Sequence, residues 1–308
     1  MPLKANGKTT GETTGKTLGR AASNAADAQP IQPEQPELPE KPEQETCRCD
    51  SPLPDIAAHE AWFTAWSATF LTDCEADNRY IELKRKHTLR VLDNARAILC
   101  TLRPEPETAR AALLAALYHD VGRFPQYAQY RTFSDQRSVN HGLLGCRTLL
   151  REGALNPETP QIRGRVAAAV AMHNRFRVPG GISPVLRFIT DVVRDSDKLD
   201  IFPVMVSTFT RDGSENDVVT LHLEDRKDAW SQPLVDAVRH RRLASYRDMR
   251  YVNDFKLLLG SWVFELNFDA SRSLLQERGL VEALLATWPE MPDGEELKGA
   301  VRAALAGR

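Results

Sequence analysis

The stretch ETARAALLAALYHDVGR, residues 107–123, decides the fold. Pro104-Glu105-Pro106 breaks the chain ahead of it, and an alanine- and leucine-rich run then reads as one helix from Glu107 to about His119. Gly122 can end that helix, and Phe124-Pro125 cannot continue it. The run closes on an adjacent pair, His119-Asp120. An imidazole offers a first-row divalent ion one nitrogen, and a carboxylate offers one oxygen or bridges two ions. The pair gains weight from what surrounds it: His87 upstream, then His141, His173 and Asp197 downstream, each in a run that reads as helix.

Working outward, Trp62, Phe63, Trp66 and Phe70 share one face of a helix that packs into a core. A second helix spans about 76–100, with His87 in its middle. The segment from Gly122 to about Arg137 is expected to be a loop carrying Arg123, Tyr127, Tyr130, Arg131 and Asp135. A fourth helix is expected to start near Ser138 as N-cap, with His141 in its first turn. A fifth runs from Asn156-Pro157-Glu158 to about His173, and a sixth begins at Ser183-Pro184 and carries Asp195, Asp197 and Asp200. Val218–Leu223 is the one convincing strand candidate. Helices are expected again at about 231–245, 253–268, 270–287 and 294–306, and the residues Tyr246, Arg247, Asp248, Arg250, Asn253, Asp254 and Lys256 read as a capped surface turn or, alternatively, as a contribution to the pocket. There is no repeat at a fixed period, no Walker loop, no G-x-G-x-x-G and no G-x-S-x-G. The fold class is all-α.

Composition sets the bounds. The 308 residues are 42% hydrophobic and 27% charged, enough for a sizeable core. A net charge of −2 gives no basic field for a nucleic-acid polymer or an anionic membrane. Apolar runs are short, and no hydrophobic signal core opens the chain, so a cytoplasmic protein is expected. Residues 1–52, with Pro30, Pro33, Pro36, Pro39 and Pro42 at every third place, cannot bury enough apolar surface to offset their ordering entropy and are expected to form a disordered tail. Five scattered cysteines, Cys47 and Cys49 among them, read as free thiols rather than a disulfide framework.

The candidate ligands fall roughly 20 to 30 residues apart, about one helix hairpin, so successive helices can each present one to a common centre. His87, His119, Asp120 and Asp197 would make one metal site, and Asp120 could bridge to a second ion held by His141 and His173. His59, His222 and His240 fall outside the pattern and read as surface or packing residues.

The order His, His-Asp, His, His, Asp resembles the HD-domain metal-dependent phosphohydrolases. The motifs that carry the resemblance are His87-Thr88-Leu89-Arg90-Val91, Tyr118-His119-Asp120-Val121-Gly122-Arg123 and Asp195-Ser196-Asp197-Lys198-Leu199, within roughly residues 78–205. It implies an HD-type helical bundle over about 55–205, with 206–308 as a helical extension packed on it. It also implies that Asp197, ahead of Lys198-Leu199, is the late ligand, with Asp195 and Asp200 as supporting or surface residues. One or two divalent ions (Mn, Fe, Mg, Co or Zn) are expected. Asp120, Arg123 and Lys198 are the candidate catalytic residues, Arg123 as a phosphate-neutralising cation or as a helix C-terminal charge. Asn140, Asn174, Arg175 and Arg177 sit beside ligands and would bind phosphate or orient imidazoles. Tyr127, Tyr130 and Phe133 would form a wall of the site or pack the loop.

The activity this implies is hydrolysis of a nucleotide or other small phosphorylated metabolite by a metal-activated water. Asn174 stands where the cyclic-dinucleotide branch has a further His, and the loop reads Val178-Pro179-Gly180-Gly181 without Gly-Tyr-Pro, which lowers that reading. Two other classes share the ligand order: HD-fold di-iron oxygenases acting on small hydroxylated substrates, and a metal-binding sensor that docks a partner.

Overall fold

The computed structural model describes residues 52–210 and 223–307. They form twelve α-helices: α1 (Ala57–Ala68), α2 (Glu75–Leu102), α3 (Pro106–Tyr118), α4 (Arg123–Tyr130), α5 (His141–Glu152), α6 (Pro160–Met172), α7 (Pro184–Thr210), α8 (Gln232–Arg239), α9 (Val252–Trp262), α10 (Asp269–Glu277), α11 (Leu280–Ala286) and α12 (Gly294–Leu305). Short 3₁₀ turns occupy Asp135–Arg137, Tyr246–Asp248 and Val263–Glu265. The fold is all-α. All but the last residue of the tail expected over 1–52, and most of the strand candidate, lie outside the described residues. Leu223 and its neighbours form no strand, only an isolated bridge from Glu224 to Tyr251.

The alanine-rich run is the central helix. From Ala111 to Tyr118 every residue of α3 is buried, which small side chains permit because helices can close on all sides of it. It packs against α1, α2, α6 and α7, and α2 packs along α7. Val91, Leu92, Ala95, Ile98 and Leu99 of α2 meet Val192, Val193, Leu199 and Phe202 of α7 in one apolar core. At one end of it Trp62 stacks on Trp66, and Trp66 meets Phe70 and Phe124 edge to face. The C-terminal helices reach the same core: α10 and α11 lie against α7, and Leu257, Leu258, Leu284 and Leu285 belong to the buried set. No helix among the described residues is long and apolar enough to cross a membrane.

Four local readings are corrected. The expected loop from Gly122 holds a helix, α4, because Pro125 falls in its first turn, where no backbone N–H is needed. The cap of α5 is Asn140, not Ser138; its side chain accepts from Leu143 N at 2.9 Å. The cap of α6 is Thr159, which accepts from Ile162 N, so the helix starts later than Asn156. Gly279 (φ 63°) divides the expected 270–287 helix into α10 and α11. Cys74 and Cys146 are free thiols, but Cys100 is disulfide-bonded, against the expectation of free thiols throughout.

Candidate metal centre

The six candidate ligands converge. His87 comes from the middle of α2, His119 and Asp120 from the turn that ends α3, His141 from the first residue of α5, His173 from the end of α6 and Asp197 from the middle of α7. His87, His119 and Asp197 form one set whose ligand atoms lie within 4.8 Å of one another, and Asp120, His141 and His173 form a second. Five of the six are buried, and the Asp197 side chain is 27% exposed, which marks the open side.

Gly122 makes the convergence possible. Its φ of −68° is ordinary, so left-handed freedom is not the reason for it. A Cβ there would stand 2.1 Å from the His141 carbonyl oxygen and 2.6 Å from Gly145 N. Only glycine lets the His-Asp turn lie directly on the start of α5.

Asp120 spans the two sets. Its Oδ2 is 3.5 Å from His87 Nε2 and 3.7 Å from His119 Nε2. Its Oδ1 is 3.4 Å from His141 Nε2 and 4.0 Å from His173 Nε2. Asp197 Oδ1 adds to the first set, 3.2 Å from His87 Nε2.

Every imidazole is held by its other nitrogen. His119 Nδ1 faces the Ala116 carbonyl at 2.8 Å and His173 Nδ1 the Val170 carbonyl at 2.7 Å. A carbonyl only accepts, so both Nδ1 atoms carry the proton. His87 Nδ1 lies 2.7 Å from Asp200 Oδ2, and His141 Nδ1 lies 2.8 Å from both oxygens of Asp135. Such partners fix ring orientation and tautomer in metal-binding histidines. All four Nε2 atoms therefore point inward, 3.2 Å apart in the His87–His119 pair and 3.1 Å in the His141–His173 pair.

The electrostatics sharpen the picture. Burial lowers the His119 and His141 rings and takes His173, beside His141 and His119, down to about 3. These three are neutral. His141 and His173 thus oppose two bare lone pairs at 3.1 Å, a repulsive contact that a cation between them would turn favourable. His87 differs: burial and Lys84 push it down, but hydrogen bonds to Asp197 and Asp200 hold it up at about 9. Burial also opposes ionisation of Asp120, yet the charges of Lys84 and Arg123 keep it well below the usual carboxylate range. The donor set of four imidazoles and two carboxylates suits a pair of first-row divalent ions.

Residues 85–200 match the family model described as HD domain. That stretch is similar to the HD domain. The match begins just before His87 and ends at Asp200, so it contains all six converging residues and leaves the C-terminal helices outside. HD domains bind divalent metals, and their superfamily is one of metal-dependent hydrolases. Comparisons with curated proteins and with solved structures gave no match.

Other expected site residues of the HD domain separate into two groups. Arg123 joins the centre: Nε lies 3.4 Å from Asp120 Oδ1 and lacks a hydrogen-bond partner, while Nη1 donates to Phe133 O, Gln126 and Asp135. Asn174 donates to Asp135 Oδ2 at 3.0 Å and so steadies the carboxylate that steadies His141. Lys198 turns the other way and donates to the Glu265 carbonyl at 3.1 Å. Asp195 likewise serves the C-terminal segment, accepting from the Asn267 and Phe268 amides. Tyr127 is buried and bonded to Asp77, and Tyr130 is partly exposed.

One participant escaped the sequence reading, and Asp135 is named there without its role. Lys84 places Nζ 2.8 Å from Asp120 Oδ2; its spacing of three from His87, one helical turn, was the available signal. The orienting role of Asp135 had no signal, because it depends on where a 3₁₀ turn lands. Tyr246, 48% exposed, reads in the sequence as part of a surface turn or a contribution to the pocket. It stands on a turn that otherwise does what the capped surface turn requires: Asp254 accepts from the Arg250 and Tyr251 amides.

Proposed function

We propose that this protein is a metal-dependent phosphohydrolase acting on a nucleotide or another small phosphorylated metabolite. The observation that carries the reading is the pairing of inward-facing imidazole nitrogens across a single carboxylate, with an unpartnered guanidinium nitrogen beside that carboxylate. His87, His119 and Asp197 would hold one ion, His141 and His173 the other, and Asp120 would serve both. Divalent ions there would supply charge stabilisation to phosphoryl oxygens and a water of lowered pKa. The chain's own residues do the rest. Asp135 and Asp200 keep His141 and His87 aimed inward. Arg123 Nε offers a phosphate oxygen a directional, charge-assisted donor. The partly exposed edge at Asp197 admits a small substrate.

The test is metal content of aerobically and anaerobically purified protein, paired with a panel of phosphomonoesters, diesters and anhydrides. About two ions per chain are expected, with hydrolysis of at least one substrate class, both lost in His119→Ala/Asp120→Ala. Fully loaded protein that hydrolyses none of the panel would overturn the reading. Two irons with dioxygen consumption would replace it with oxygenase chemistry.

A further inference from the structure

Lys84 stands one turn before His87 on α2, so both side chains leave the same face of the helix. Its ammonium is 2.8 Å from Asp120 Oδ2 and 5.5 Å from the centre of the Phe133 ring. The side chain is 19% exposed, at the edge of the centre rather than sealed inside it. Arg123 flanks the opposite oxygen, Oδ1, with its unpartnered Nε. Asp120 is thus bracketed by a cation on each side.

The other nearby carboxylates are already committed. Asp200 is shared between His87 and Arg90, and Asp135 between His141, Arg123, Gln126 and Asn174. Divalent ions on Asp120 and Asp197 would leave Lys84 without its carboxylate partner and Arg123 Nε without an acceptor, while Arg123 Nη1 keeps Asp135. A lysine whose only task was to neutralise Asp120 would compete with those ions for the same oxygen. A third, anionic party resolves the conflict by taking both cations when the ions take the carboxylates. Two donors flanking Asp120 suit a terminal phosphate, which presents several non-bridging oxygens.

We propose that Lys84 is a substrate-contacting residue that, together with Arg123 Nε, receives the non-bridging oxygens of a terminal, dianionic phosphate. The inference rests on the phosphohydrolase reading and narrows it to phosphomonoesters and terminal phosphates of anhydrides. A lysine ammonium suits this task as a compact point charge, while the arginine supplies direction.

The experiment uses the full chain loaded with manganese and freed of excess metal. Inorganic phosphate is titrated calorimetrically into wild type, Lys84→Met and Lys84→Arg, with metal content measured on the same samples. The expected result is unchanged metal in Lys84→Met, phosphate affinity weakened at least about 10-fold, and substantial recovery in Lys84→Arg. Unchanged phosphate affinity in a fully loaded Lys84→Met protein would overturn the proposal and leave Lys84 a counter-ion of Asp120. Loss of metal in that variant would also overturn it and make Lys84 a support of the centre. Phosphate binding that depends on Lys84 in a protein without phosphoester turnover would sink the phosphohydrolase reading while the contact stands. Turnover with phosphate affinity indifferent to Lys84 would do the reverse.

Discussion

Two buried histidine clusters lie back to back at the end of α3, separated by one peptide bond. On one side Tyr118 gives its hydroxyl to His59 Nδ1 at 2.9 Å, and His59 Nε2 meets Glu158 Oε1 at 2.9 Å. Arg110 closes the set on both Glu158 oxygens and on the Asp55 carbonyl. On the other side stands His119 with its converging partners. Both clusters are made of imidazole, carboxylate and arginine, and both are buried. They differ in what is left over. Around His59 each ring nitrogen has a partner inside the protein, so the cluster ties α1 to α3 and to the turn ahead of α6 and has nothing to offer a ligand. Around His119 the Nδ1 atoms are satisfied, and the neutral His141 and His173 turn bare Nε2 atoms toward each other. Burial and chemistry alone do not mark a ligand site; unspent lone pairs do.

The largest test of that distinction is Asp120→Ala, which removes the one carboxylate common to both metal sets. Metal content should fall for both ions, and any activity should drop by well over the roughly 100-fold that bounds the loss of an orienting partner. Mass spectrometry of the purified protein checks it. Retention of one full equivalent would show that the sets are independent and that Asp120 does not span them.

Glu158→Gln probes the opposite cluster. It leaves His59 and Arg110 without their charged partner, and breaking a buried pair costs about 3–5 kcal/mol. Arg110 is 28% exposed, so the loss should sit at or below the lower end. Urea unfolding should report that loss while metal stoichiometry stays at the wild-type value. A change in bound metal would mean that the two clusters are coupled through Tyr118 and His119.

Asp135→Asn and Asp200→Asn act within the centre but on one set each. Each should weaken metal affinity by roughly 10–100-fold, Asp135→Asn for the ion held by His141 and Asp200→Asn for the ion held by His87. Competition with a chelator resolves the two affinities. Equal weakening of both ions by either variant would refute separate orientation of the sets.

The same contrast explains what could be read from the chain. His87, His119-Asp120, His141, His173 and Asp197 were legible because each sits at a helix position whose neighbours fix its face, and helix periodicity survives in sequence. Asp200 was visible only as a residue on the same helix as Asp197, and its hold on His87 is a contact across 113 residues. Asp135 depends on a 3₁₀ turn within a segment read as loop, and no periodicity announces such a turn. Gly122 was noticed for the wrong reason. A glycine that ends a helix and a glycine that admits a neighbouring backbone look identical in sequence, and only the 2.1 Å approach to His141 O separates them. His59 could be read only as surface or packing, because its partners, Tyr118 on α3 and Glu158 in the turn before α6, are distant in the chain.

Asp191 offers the finest division between stability and site. It lies on α7 among Arg187, Arg194, Lys198 and Asp195; burial raises its carboxyl to about 6, with Asp195 adding to the shift and the three cations opposing it. The unfolded value is about 3.9. The folded chain therefore holds the proton more tightly, and stability falls as pH rises from about 4 to 6, then stays at the lower level. Asparagine does not titrate. Asp191→Asn should match or trail wild type below about pH 4 and gain on it through the interval between the two pKa values. Above pH 6 it should stay ahead by on the order of 1–2 kcal/mol once partial exposure is allowed for. Unfolding curves at pH 4, 5, 6 and 8 check the sign, and a difference that shrinks with rising pH would refute it. Metal content should not move, because Asp191 lies six residues, more than a full turn of α7, before Asp197 and makes no contact with the ligand nitrogens. A stabilised protein with its ions in place would show that α7 carries two separable loads, a carboxylate that the fold tolerates at a cost and a carboxylate that the centre uses.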